Sequence, residues 1–187
     1  MAITSVVLHY FQIENYPATT GLGEHLNLFL KDSGIEMKYI RHTHAEWPEI
    51  KEDLTKNKKV LHPTMPFVEV NGKYFNKTAP TMRYLSKQLG KYEGANDEES
   101  YQLDVVSDIV RDQFGSLFPL FFSKEEEKLQ EHFEKDIKKY LAAYERIYAQ
   151  NGGPYILGEK DYPHIAKFIQ AVNQRPNLSG YFASLKN

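Results

Sequence analysis

The chain reads as an α/β domain followed by an all-helical domain, and three observations predict it. Strand-length apolar runs within residues 1–90 follow the order β-α-β, a linker, then β-β-α. Asn71-Gly72, which tolerates the positive φ angles of a two-residue turn, joins the last two strands as an antiparallel hairpin. Beyond Gly90-Lys91-Tyr92-Glu93-Gly94 no strand candidate remains and helical periodicity takes over, so the domains are 1–90 and 91–187.

Val6, Val7 and Leu8 form a buried run that ends in His9-Tyr10-Phe11 and empties into a loop reaching Thr20. Leu22, Leu26, Phe29 and Leu30 then recur at helical spacing up to the stop at Ser33-Gly34. Met37 to Thr43 reads as the second strand, and a charged, irregular segment follows around Ala45 to Lys51. Pro66 to Val70 is the third strand and Lys73-Tyr74-Phe75 the fourth. Thr78 is expected to cap a helix over residues 79–89, with Pro80 in its first turn.

In the second domain, residues 98–117 carry Leu103, Val106 and Val110 on one helical face and Asp104 and Asp108 on another. Residues 124–149 repeat Leu129, Phe133, Ile137, Leu141 and Tyr144 at three-to-four spacing until Gly152-Gly153. A shorter helix is expected over residues 163–173, then Arg175-Pro176-Asn177 and an aromatic tail.

Composition narrows the function. The formal net charge of -2 offers no broad attraction for nucleic acid or anionic lipid. No leader-like N-terminus or bilayer-length apolar stretch is present, so the expected location is cytoplasmic. The chain has no cysteine, which removes disulfides, thiolate metal ligands and a protein thiol nucleophile. Any sulfur chemistry must come from a substrate, and a thioredoxin-type redox enzyme is nearly excluded.

One combination points to a ligand. Pro66 opens a strand, and a hairpin then leads to a helix that begins at Thr78. If Pro66 is cis, the Met65 backbone is exposed to pair with an extended peptide, and the helix start offers free amides to a carboxylate. The equally weighted alternative is a trans proline opening a strand beside an ordinary helix cap.

The sequence resembles the sigma-type branch of the cytosolic glutathione transferases, of fungal or invertebrate type. The resemblance is carried in order by Leu8-His9-Tyr10-Phe11, Gly21-Leu22-Gly23-Glu24, Trp47-Pro48-Glu49-Ile50-Lys51, Met65-Pro66-Phe67-Val68-Glu69-Val70, Arg83-Tyr84-Leu85, Leu103-Asp104 through Asp108, and Arg175-Pro176-Asn177-Leu178. It implies a thioredoxin-like first domain and a helical second domain. It further implies glutathione as cosubstrate with no other cofactor and no metal, a homodimer, and conjugation of small electrophiles in detoxification. A non-catalytic glutathione-binding carrier, structural or regulatory subunit of the same fold is the alternative.

By that resemblance Tyr10 would be catalytic, donating its hydroxyl to the glutathione sulfur. Trp47 and Lys51 would hold the glycine carboxylate, Met65 with Pro66 the cysteinyl backbone, and Lys77 and Thr78 the γ-glutamyl carboxylate. Asp104 would reach the γ-glutamyl amino group across the dimer. From the residues alone, Tyr10 reads as a strand-end aromatic, Trp47 and Lys51 can be surface packing, and Asp104 reads as part of a solvated helix face.

Three departures stand out. Lys77 replaces the family's usual glutamine. The loop before Gly21 lacks an arginine beside the tyrosine and leaves Tyr16 as a rival to Tyr10. Gly158-Glu159-Lys160 runs directly into Asp161-Tyr162-Pro163, so about two helices are expected to be missing near residues 158–162, which predicts a shortened second domain that is rearranged, exchanged between subunits or unusually labile.

Overall fold

A computed structural model describes residues 3–13, 21–123, 125–150 and 169–185. They divide into two compact units: residues up to Glu93 joined by those from Pro176 onward, and Gly94–Arg175. The helical domain expected over 91–187 therefore gives up its last helix to the first unit.

In the first unit β1 (Val6–Phe11), α1 (Leu22–Asp32), β2 (Lys38–His42) and α2 (Trp47–Lys56) are followed by β3 (Phe67–Val70), β4 (Lys73–Asn76) and α3 (Thr78–Leu89). The sheet order is β2-β1-β3-β4; β1 runs parallel to β2 and antiparallel to β3, which pairs antiparallel with β4. This is the expected β-α-β, β-β-α order. The charged stretch read as irregular is helix α2, with Pro48 in its first turn, where a missing N–H costs nothing.

Strand alternation sorts the side chains. Val6 and Leu8 of β1 and Val68 and Val70 of β3 meet Leu26, Phe29 and Leu30 of α1 and Leu85 of α3 in one buried core. On the other face His9 and Phe67 lie with Leu54 of α2 around a hollow of about 270 Å³. The hairpin turns as expected, Asn71 and Gly72 having φ of 49° and 77°. Asn71 also ties down the chain's start, its Oδ1 accepting from the backbone N–H groups of Thr4 at 2.9 Å and Ser5 at 3.0 Å.

The expected aromatic tail is instead a helix, α7 (Pro176–Ser184), packed on α1. Leu178 is buried, the Asn177 amide donates to the Asp32 carbonyl at 2.9 Å, and the Tyr181 hydroxyl donates to the Glu24 carboxylate at 2.7 Å.

In the second unit α4 (Asp97–Ser123) starts where Asn96 caps it, the Asn96 Oδ1 accepting from the Glu99 N–H at 2.9 Å. It runs past the expected end and through Pro119. The segment expected as one helix over 124–149 is α5 (Glu126–Glu131), a π-helical turn at His132–Asp136, and α6 (Ile137–Gln150). Leu141 and Tyr144 of α6 pack with Val106, Ile109 and Val110 of α4, and the Tyr144 hydroxyl meets Gln113 Oε1 at 2.9 Å. Residues 169–173 are helical. Tyr16 and the join at 158–162 lie outside the described residues.

Candidate functional site

Register alone gathers most of the candidate residues. The C-terminal ends of β1 and β2, the N-terminal end of β3 and the C-terminal end of β4 lie at the same end of the sheet, because β3 runs against its two neighbours. Phe67 pairs with His9, so Met65 falls opposite Phe11 just beyond the ladder. Phe67 also pairs with Asn76, two residues before Thr78. The starts of α1, α2 and α3 are at this end too, and Tyr10, Trp47, Met65, Pro66, Lys77 and Thr78 come with them.

Tyr10 is 8% exposed and lies on the same face of β1 as Val6 and Leu8, against the start of α1. A Cβ on Gly23 would lie 2.4 Å from Tyr10 Cδ1, and one on Gly21 would lie 3.0 Å from its hydroxyl oxygen. Glycine at both positions lets the ring and hydroxyl settle against the helix start. Burial pushes the Tyr10 phenol above its ordinary range; the Leu22 amide, the Arg41 charge and the Gly23 amide pull against it. Tyr10 is thus a protonated phenol at neutral pH, with backbone donors directed at its oxygen and its own hydrogen available to donate.

Arg41 is a neighbour that sequence reasoning missed. The parallel register sets it beside Tyr10, and its Nε donates to the Phe11 carbonyl at 3.1 Å. Its charge pulls the Tyr10 phenol down against the effect of burial. Pairing β1 with β2 residue by residue would have found it.

Trp47 begins α2 half-buried, edge-on to the Phe11 ring at 6.0 Å. Lys51, one turn later, is exposed. The Met65-Pro66 bond is cis. Lys77 occupies the N-cap position of α3 with φ 67° and ψ 119°, and no side chain caps the helix. That corrects the expected role of Thr78, which is the first residue of α3 rather than its cap. A residue already in helical conformation cannot fold its hydroxyl back onto the amides of its own first turn, and Thr78 Oγ1 is buried without a partner. Asp104 is exposed on α4, in the second unit.

Behind this end of the sheet, His9 Nδ1 and His42 Nε2 are 2.9 Å apart, with His9 stacked on Phe67 at 4.2 Å. Burial, His42 and Lys38 hold the His9 imidazole down at about 4. Among the described residues no group of three or more histidine and acidic residues could hold a metal ion, and no helix is long and apolar enough to cross a membrane.

Comparison with known proteins agrees with this architecture. The family model "Glutathione S-transferase, C-terminal domain" matches residues 110–161. A glutathione S-transferase of Anopheles gambiae is 24% identical, with 94% of each chain covered. Glutathione S-transferase P 1 of Xenopus laevis is 26% identical over 95% of this chain and 92% of its own. The Anopheles alignment runs over 204 positions, more than the 187 residues of this chain, so the relative carries residues that this chain lacks. The Pi-class glutathione S-transferase of Onchocerca volvulus superposes with a TM-score of 0.79 at 21% identity, covering 97% of this chain and 93% of the other. The four-stranded sheet with Tyr10 near the end of β1 and the cis proline before β3, together with a helical second unit, gives the chain the glutathione S-transferase fold, and its sequence is similar to glutathione S-transferases.

Proposed function

We propose that the protein is a glutathione transferase of the sigma-like branch that activates the glutathione thiol at Tyr10 and conjugates it to small electrophiles. The observation that carries this reading is the pairing of two unfilled polar groups at one end of the sheet. The Tyr10 hydroxyl can still donate, and the buried Thr78 Oγ1 has no partner at a helix start. A peptide with a sulfur near its middle and a carboxylate at its end satisfies both.

The phenol hydrogen donates to the sulfur and favours thiolate over thiol. A free thiol near 8.5 is only about 3% ionised at neutral pH, so lowering it by one unit raises the nucleophile several-fold. The thiolate forms a bond to the electrophilic carbon while an electron pair leaves with the displaced group or moves onto the acceptor. The thiol proton goes to solvent. Trp47 and Lys51 hold the glycine carboxylate, the Met65 backbone beside Pro66 pairs with the cysteinyl unit, and Lys77 with Thr78 takes the γ-glutamyl carboxylate. In a homodimer, Asp104 reaches the γ-glutamyl amino group bound by the neighbouring subunit.

Trp47 is the chain's one tryptophan and borders the site, so its fluorescence reports ligand directly. Titration with glutathione should saturate below millimolar concentration, and the same protein should conjugate a chloronitroaromatic. Absence of any response up to about 10 mM would end the proposal. Saturation without conjugation would leave the non-catalytic binding protein in its place.

A further inference from the structure

Helix α1 begins without a cap of its own. Its N-cap position is Gly21, which has no side chain to accept from the amides of the first turn. The Leu22 and Gly23 amides instead donate to the Tyr10 oxygen, and a Cβ at Gly21 would lie 3.0 Å from that oxygen. The helix start and the phenol therefore place each other, and a first turn held in this way frays unless something else fixes it.

Glu24, the next residue, supplies the fixing point. One of its carboxylate oxygens accepts from the Asn27 amide at 3.2 Å, but Asn27 belongs to α1 and moves with it. The other accepts from the Tyr181 hydroxyl at 2.7 Å, across 157 positions of sequence. Burial, and after it the bond to Glu24, push the Tyr181 phenol up, so it remains a donor through neutral pH.

Tyr181 is anchored in turn by α7, which runs back along α1. Leu178 is buried, Lys31 Nζ lies 4.9 Å from the centre of the Tyr181 ring, and the Asn177 amide donates to the carbonyl of Asp32. Helix α7 thus grips α1 at both ends, at Asp32, its last residue, and at Glu24, beside the two residues whose amides meet Tyr10.

We propose that Tyr181 is a positioning residue for Tyr10: by holding Glu24 it fixes the first turn of α1, and with it the Leu22 and Gly23 amides, against the phenol oxygen. An oxygen that already receives these donors directs its own hydrogen elsewhere, toward a ligand. Without the Tyr181 bond the turn drifts and the hydroxyl loses its direction, which lowers rate more than affinity. That effect on conjugation rests on the proposed role of Tyr10, whereas the placement of the phenol does not.

Three variants of the full chain test this. Tyr181→Phe keeps the ring and removes only the hydroxyl, Asn177→Ala removes the bond at the other end of α1, and Tyr10→Phe serves as reference. In ligand-free protein with tyrosine isotopically labelled at Cζ, the Tyr10 resonance is assigned by its absence from Tyr10→Phe. It should shift in Tyr181→Phe and stay in place in Asn177→Ala. With glutathione and a chloronitroaromatic, Tyr181→Phe should lose about five- to twenty-fold in kcat with the glutathione KM within about two-fold, while Asn177→Ala keeps its rate. Added to Tyr10→Phe, Tyr181→Phe should cost nothing further. An unmoved Tyr10 resonance in Tyr181→Phe, an equal shift in Asn177→Ala, or the same rate loss in the Tyr10→Phe background would each overturn the proposal. A parent chain that fails to conjugate would defeat the transferase reading alone, and the Tyr10 resonance would still decide the role of Tyr181.

Discussion

The ring of Tyr10 occupies the space in which a side chain at Gly23 would have to stand, 2.4 Å from the position of its Cβ. The two residues come from different elements, the end of β1 and the first turn of α1, so the fit couples the placement of the hydroxyl to a residue with no side chain. Gly23→Ala should overpack this contact by about 1–3 kcal/mol and lower the melting temperature by roughly 2–10 °C. Conjugation should fall at least as steeply as in Tyr10→Phe. Gly115, inside α4 with nothing within 4 Å of its Cβ position, is the counterpart. Gly115→Ala should stabilise by about 1 kcal/mol and leave activity alone. Equal melting temperatures for the two variants would contradict the account of Gly23.

Tyr10→Phe should retain glutathione affinity within about three-fold and lose roughly 10- to 100-fold in conjugation, the value of one hydrogen bond to a charged sulfur. The Tyr10 phenol lies above its ordinary range, so it stays protonated through neutral pH and the rate should follow ionisation of the glutathione thiol. In Tyr10→Phe the midpoint of the rate against pH should move up toward that of free thiol. Coincident midpoints in the two proteins would show that the hydroxyl does not act on sulfur.

Lys51 stands one turn along α2 from Trp47, exposed, and the proposed function has it act on binding rather than chemistry. Lys51→Ala should weaken glutathione binding by roughly ten-fold, with kcat at saturation unchanged. An unaltered dissociation constant would return Lys51 to the solvated surface.

The His9 imidazole, held down at about 4 from an ordinary 6.5, makes the folded chain sensitive to acid. Between these values the unfolded chain binds the proton and the folded chain does not. Stability from this group is therefore complete above about pH 6.5, falls as pH drops toward 4, and changes no further below. His9 is only partly buried, so the loss should be on the order of 1–2 kcal/mol rather than the full value of the shift. Melting curves between pH 7 and 4 should show the fall, and His9→Phe should flatten it. An equally steep fall in His9→Phe would assign it to other groups.

The legible parts of the fold were those with a local cause. Asn71-Gly72 dictated the hairpin, and the apolar run Val6-Val7-Leu8 marked β1 as a buried strand. Tyr10, Trp47, Met65 and Thr78 come together because the strand order sets their elements at one end. Arg41 was hidden because its role depends on which strand pairs with β1, which no window of sequence contains. Helix α7 was hidden because Ser179-Gly180 and the aromatic pair Tyr181-Phe182 mimic a loose tail until Leu178 and Tyr181 find α1. The π-helical turn at His132 keeps helical spacing on both sides, so the sequence pattern crosses it without a break.

The return of α7 to the first unit turns the whole stretch Gly94–Arg175 into a single closed loop, topologically speaking. The entropy of closing a loop grows only with the logarithm of its length, about 0.6 kcal/mol for each doubling. Gaining or losing a few tens of residues within that stretch therefore changes the cost of docking α7 on α1 by a fraction of a kcal/mol. The first unit is thus thermodynamically insulated from length variation in the second.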